Sequence, residues 1–152
     1  MRQEAERRVE VKRLMTHPGV GPITALAFAL TLGPTERFRR GKQVVSYLGL
    51  NPREHSSGGR QRMGAISKQG NRLLRWLLVE AGQTAARNDP ELRRMYQRLK
   101  FRRCASVAKV AIARKLAVRL YWMLREGVEY PQVVRMQSSS GTDLVNASSS
   151  DS

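Results

Sequence analysis

The chain has one cysteine, Cys104, and only two histidines, His17 and His55. An internal disulfide and a cysteine-built zinc site are therefore excluded, and two histidines are too few for a metal cage. No apolar run reaches membrane-spanning length and no signal-peptide pattern is present, so no membrane partner is expected and the cytoplasm is the expected location. Acids are scarce as well: 12 Asp and Glu stand against 28 Lys and Arg in 152 residues, a net charge of +16. A compact fold with that excess repels itself unless a polyanion neutralises it, which points to nucleic acid. Alternating apolar and polar positions of the kind a sheet needs are missing, and there is no internal repeat. What remains is helical periodicity in a chain of one domain's length, so the expected class is all-α with a single modest core.

The positive charge is concentrated. Residues 36–103 hold 17 basic and 5 acidic side chains, a net of +12. Near the middle of that region lies the least apolar stretch of the chain, residues 55–70 (HSSGGRQRMGAISKQG). Its hydroxyls, glycines and cations cannot be buried as core, so it reads as a surface loop. Four glycines leave backbone N–H groups able to turn toward a ligand, while Arg60, Arg62 and Lys68 supply charge for phosphate oxygens. A serine beside such a cradle is placed to attack a phosphodiester. The plainer alternative is a connector built from ordinary Ser-Gly turn chemistry.

Around this stretch the chain reads as helical scaffold. Residues 2–15 alternate charges with Ala5, Val9 and Leu14 and resemble the end of an exposed, linking coiled-coil helix. His17-Pro18-Gly19-Val20-Gly21-Pro22 then separates this helix from the apolar run Ile23 to Leu32. A stop at Pro-Gly and a start on Pro22 describe a helical hairpin. It is similar to the helix-hairpin-helix element, in which Gly19 and Gly21 would present N–H groups to a phosphate; glycines that merely permit the turn are the other reading. A basic connection with Arg37, Arg39 and Arg40 leads to a short helix over Lys42 to Leu48, closed by a left-handed Gly49.

From Asn71 the stripe Leu74, Leu77, Leu78, Ala81 and Ala85 defines a helix capped by Asn71 or Ser67, its positive end facing back to the loop. Asp89-Pro90 is a helix start; Leu92, Met95, Tyr96 and Leu99 form its inner face, and Arg93, Arg94, Arg98 and Lys100 its outer one. The longest and most central helix is expected over Ala105 to Arg125, ended by Gly127. Residues 131–152 are expected to be a disordered tail, the part from Gln137 onward having no basic residue and little to bury.

Several of these segments, in this order, carry a resemblance: His17-Pro-Gly-Val-Gly-Pro-Ile-Thr-Ala25, Phe38, Tyr47-Leu-Gly-Leu-Asn-Pro52, Ser56-Ser-Gly-Gly-Arg60, Gly64-Ala-Ile-Ser-Lys-Gln-Gly70 and Leu73-Leu-Arg75. Over about residues 14–130 the chain resembles the C-terminal domain of the IS110/IS116/IS902 group of insertion-sequence transposases, which is related to the Piv-type DNA invertases. The resemblance implies a helical domain over 16–130, preceded at 1–15 by a remnant of the linking helix. It also implies that a serine acts as nucleophile in DNA cleavage through a phosphoserine link, with Ser57 in that position and Ser56 the register alternative. The DNA-bound partners it implies are a structured guide RNA of the element and further copies of the chain. A RuvC-like nuclease domain with four acidic ligands, absent from these residues, would hold a divalent metal such as Mg2+; no cofactor or metal ligand is expected within this chain. The expected role is DNA transposition by a truncated copy. The alternative is a non-catalytic helix-hairpin-helix module that holds nucleic acid.

Overall fold

A computed structural model describes residues 2–50 and 65–139. Among them are seven α-helices and no strand: α1 (Arg2–Leu14), α2 (Pro22–Leu32), α3 (Gly41–Tyr47), α4 (Ala65–Asn88), α5 (Pro90–Arg102), α6 (Ala105–Glu126) and α7 (Tyr130–Ser139), with one 3₁₀ turn at Thr35–Arg37. The all-α expectation holds.

Helix α6 is the axis of the molecule, touching α1, α3, α4, α5, α7 and the 3₁₀ turn. Its sequence explains why: Ala108, Ala111, Ala113 and Ala117 let neighbours come close, while Ile112, Leu116, Leu120, Tyr121 and Met123 fill the space between them, all buried. The main core joins Ala113, Leu116, Ala117, Leu120, Tyr121 and Met123 to Leu14, Phe28, Leu32, Val44, Leu48, Leu74 and Leu78. A satellite cluster of Ala85, Ala86, Leu92 and Ile112 lies under α4 and α5, with Met95 and Tyr96 against it. Gly82 of α4 makes that approach close, since a β-carbon there would stand 3.0 Å from the Ile112 side chain.

Several boundaries follow the local signals. Asp89 caps α5, its Oδ1 accepting from the Leu92 N–H at 2.9 Å, and Pro90 opens the helix. Gly49 and Gly127 adopt positive φ (73° and 65°) at the ends of α3 and α6.

Other expectations need correction. Helix α4 begins at Ala65, so Ser67, Lys68 and Gly70 belong to a helix and not to a loop running to residue 70. At 24 residues α4 is also longer than the 22-residue α6. The C-terminal tail does not begin at residue 131. Residues Tyr130–Ser139 form α7, because Val133 and Gln137, four apart, reach the interior on one helical face. Residues 140–152 lie outside the described part. The apolar run of α2 is only half covered: Thr24, Ala25, Phe28 and Leu32 are buried, whereas Ile23, Leu26 and Leu30 form an exposed stripe.

Candidate nucleic-acid interface

The segment holding Ser57, Arg60 and Arg62 lies outside the described residues, which resume on either side at Leu50 and Ala65. On the incoming side, the last carbonyls are held by two arginines from other helices. Arg75 Nη1 of α4 donates to the Leu48 carbonyl at 3.1 Å, and Arg114 Nη1 of α6 donates to the Leu50 carbonyl at 3.1 Å. Gly49 between them has φ +73°, a left-handed conformation that favours glycine. Leu48 and Leu50 themselves are buried. On the outgoing side the chain enters α4 directly, with Lys68 in its first turns. Arg114 follows the buried Ala113 on α6. It is half-buried, and burial lowers its pKa from the ordinary arginine value.

Upstream of this border a basic surface surrounds α3. Arg37 stacks over the rings of Phe38 and Tyr47 at 5.2 and 5.0 Å and donates to the Leu32 carbonyl at 2.9 Å. Arg40, Lys42, Gln43 and Ser46 complete a shallow depression of about 550 Å³ against the same two rings. Stacked guanidinium, cations and hydroxyls in one depression suit a phosphate backbone.

The two glycines of the hairpin turn have different surroundings. Gly19 has φ +85°, and a β-carbon there would meet the Ala81 carbonyl oxygen at 2.4 Å and the Ala85 nitrogen at 2.8 Å. It therefore lets the turn lie directly on the backbone of α4. Gly21 precedes Pro22 at the start of α2 in extended conformation, and nothing stands within 4 Å of where its β-carbon would be.

Behind the turn is a buried polar cluster that sequence reasoning missed. Arg119 of α6 is fully buried, with Nη1 3.0 Å from Asp89 Oδ2 and Nη2 2.6 Å from Glu91 Oε1. Its Nε donates to Gln137 Oε1 at 3.2 Å, and Nη1 also stands 3.2 Å from His17 Nε2. Tyr130 donates its hydroxyl to Asp89, and its ring meets the His17 ring edge-on at 4.6 Å. His17 Nδ1 lies 2.9 Å from the Pro18 carbonyl, so Nδ1 carries the proton and Nε2 accepts from Arg119. Burial, aided by the Arg119 charge, lowers the His17 pKa to about 4 against the opposing Pro18 hydrogen bond. Burial alone would raise the pKa of Asp89, but hydrogen bonds from Tyr130 and Leu92 and the Arg119 charge outweigh it and hold the carboxyl below its usual value. Burial and the bond to Asp89 push the Tyr130 hydroxyl up to about 12. The cluster ties the hairpin turn, α5, α6 and α7 together; His17, Asp89, Arg119 and Gln137 are buried in it, while Glu91 keeps a half-exposed edge. Its signal was present: Arg119 continues the apolar stripe Ile112, Leu116 and Met123 at spacings of four, three and four.

Among the described residues, no group of three His, Cys, Asp or Glu side chains could hold a metal, and no helix is long and apolar enough to cross a membrane.

Residues 11–97 match the family described as Transposase IS116/IS110/IS902 family. A probable family 20 transposase of Pseudomonas aeruginosa is 44% identical over 118 residues, covering 75% of this chain and 35% of that protein. The transposase for insertion sequence element IS1111A of Coxiella burnetii is 33% identical over 130 residues, covering 83% of this chain and 36% of that protein. The transposase for insertion sequence element IS1328 of Yersinia enterocolitica is 33% identical over 117 residues, covering 74% and 35%. The chain thus spans about a third of the length of these relatives. No solved structure matches it.

Proposed function

Because the chain belongs to the IS116/IS110/IS902 transposase family, we propose that it serves DNA transposition as the helical, serine-bearing part of the transposase, with Ser57 as the nucleophile. The observation that carries this reading is the family match across residues 11–97, which spans Ser57. The arginine-held border at Leu48–Leu50 supports it, because a nucleophile acts from a fixed frame.

In the proposed step the Ser57 hydroxyl oxygen attacks a DNA phosphorus atom. A phosphoserine bond forms as the phosphorus bond to the leaving sugar oxygen breaks, and that oxygen gains a proton as the serine loses one. Attack by another sugar hydroxyl reverses the step and rejoins the strand without ATP. Arg60, Arg62 and Lys68 would oppose the charge of the pentacovalent phosphorane, while Gly19 and Gly21 would position the backbone. A divalent metal would be held by a RuvC-like domain on other residues; no step here is routed through it. A guide RNA and further copies of the chain complete the proposed assembly. The basic depression around α3, with Arg37 over Phe38 and Tyr47, also suits a second reading, a module that holds nucleic acid without cutting it.

The test is a trapping assay on nicked DNA with a RuvC-like domain of a relative supplied. The expected result is a denaturant-resistant protein–DNA adduct that Ser57→Ala abolishes and Ser56→Ala retains. An adduct that survives Ser57→Ala overturns the assignment, and DNA binding without any adduct supports the holding module.

A further inference from the structure

Helix α5 carries five cations, Arg93, Arg94, Arg98, Lys100 and Arg102, against one acid, Glu91. Three of its residues at one-turn spacing, Arg93, Tyr96 and Lys100, face α4 across a groove of about 360 Å³ that Gln83, Arg87 and Gln97 complete. That size is within the range of clefts that take a small ligand unit. Arg93 donates to the Arg87 carbonyl at the end of α4, which fixes one end of the groove. At the other end the Lys100 ammonium stands 6.0 Å from the centre of the Tyr96 ring.

Two observations point to an occupant. The Gln83 Nε2 is buried and, among the described residues, donates to no acceptor, although the residue lines the groove. A buried amide donor left unpaired costs stability unless an incoming oxygen or ring nitrogen satisfies it. Phe101, one turn beyond Gln97 and next to Lys100, is 86% exposed, the most exposed large apolar side chain described. A flat ring held out among cations offers a stacking surface that an unpaired base can use and a paired one cannot.

We propose that the α4–α5 groove binds a single strand of nucleic acid. Arg87, Arg93 and Lys100 hold its phosphates, Gln83 turns its buried, unpaired Nε2 outward to donate to an acceptor on the strand, and Phe101 stacks on an adjoining base. The proposal rests on the nucleic-acid reading given above but not on Ser57, and binding can be measured where no adduct forms.

Fluorescence anisotropy of the full chain with labelled 20-nucleotide DNA and RNA single strands of one sequence tests it, and the tighter of the two identifies the source. Arg93→Ala with Lys100→Ala should shallow the slope of log affinity against log salt by about 1.4, the value for two phosphates on a single strand. Removing the same charge outside the groove, with Lys12→Ala and Lys109→Ala, should change the slope less. Phe101→Ala, at a position too exposed to affect folding, should weaken binding about 5- to 150-fold without changing the slope. The proposal is overturned if the groove pair and the control pair behave alike, or if Phe101→Ala binds as the parent does. It is equally overturned if duplex DNA or polyglutamate displaces the strand as well as unlabelled single strand does.

Discussion

His17 shows how a residue's surroundings set its chemistry. Its imidazole is buried beside a guanidinium, so it is neutral when folded, with a pKa of about 4 against 6.5 in the unfolded chain. Between these values the unfolded chain binds the extra proton, so stability is complete above pH 6.5 and falls as pH drops toward 4. The loss over that window is about 3 kcal/mol. Urea unfolding from pH 7 to pH 4 should show this decline, and His17→Gln should flatten it; an unchanged slope in the variant would remove His17 as its source. Asp89, with its pKa lowered, acts in the same direction at more acidic pH, where protonation releases its hold on Arg119. Removing one member of this buried set costs more than its hydrogen bond, because the opposite charge is left behind unpaired.

At the scale of elements, contact with α4 sets the turn between α1 and α2. Gly19→Ala places a methyl group against two backbone atoms of α4 and strains a positive φ, which should cost about 2–4 kcal/mol in urea unfolding. Gly21→Ala meets open space and should cost less than about 1 kcal/mol. Equal costs at the two positions would contradict the packing described. The sequence pairs these glycines by spacing alone, and only the neighbour across the turn separates them. Helix α5 was legible because Asp89 and Pro90 are local signals, and its outer cations are exposed as expected. The start of α4 was not, since residues 65–70 (AISKQG) offer only Ala65 and Ile66 as apolar positions and end on Gly70, which suggests a loop when tertiary support is invisible. Helix α7 was missed because it buries few residues; Pro131 at its second position was the available start signal. For the candidate site, the composition and order of residues 55–64 were readable, but how Ser57 is presented is not a property of periodicity.

At the scale of the whole molecule, α6 serves two functions at once. Its alanines bring α3, α4 and α5 close, and its buried Arg119 and half-buried Arg114 hold different segments: Arg119 ties the hairpin turn to α5 and α7, and Arg114 holds Leu50. The exposed stripe of Ile23, Leu26 and Leu30 shows that α2 covers the core with one face and leaves another bare. The chain matches only about a third of its relatives' length, yet the described residues enclose a continuous core.

The grip of Arg75 and Arg114 on the carbonyls before residue 51 fixes that border from the framework's own side, as a socket is fixed by its housing. Exchanging residues 51–64 for a Gly-Ser spacer of equal length should move the thermal midpoint by no more than about 4 °C, roughly 1 kcal/mol. A larger drop in calorimetry would show that the cartridge, and not the socket, carries part of the fold. If the midpoint holds, segments from other relatives can be exchanged here as interchangeable parts, and reactivity can be tuned without rebuilding the housing.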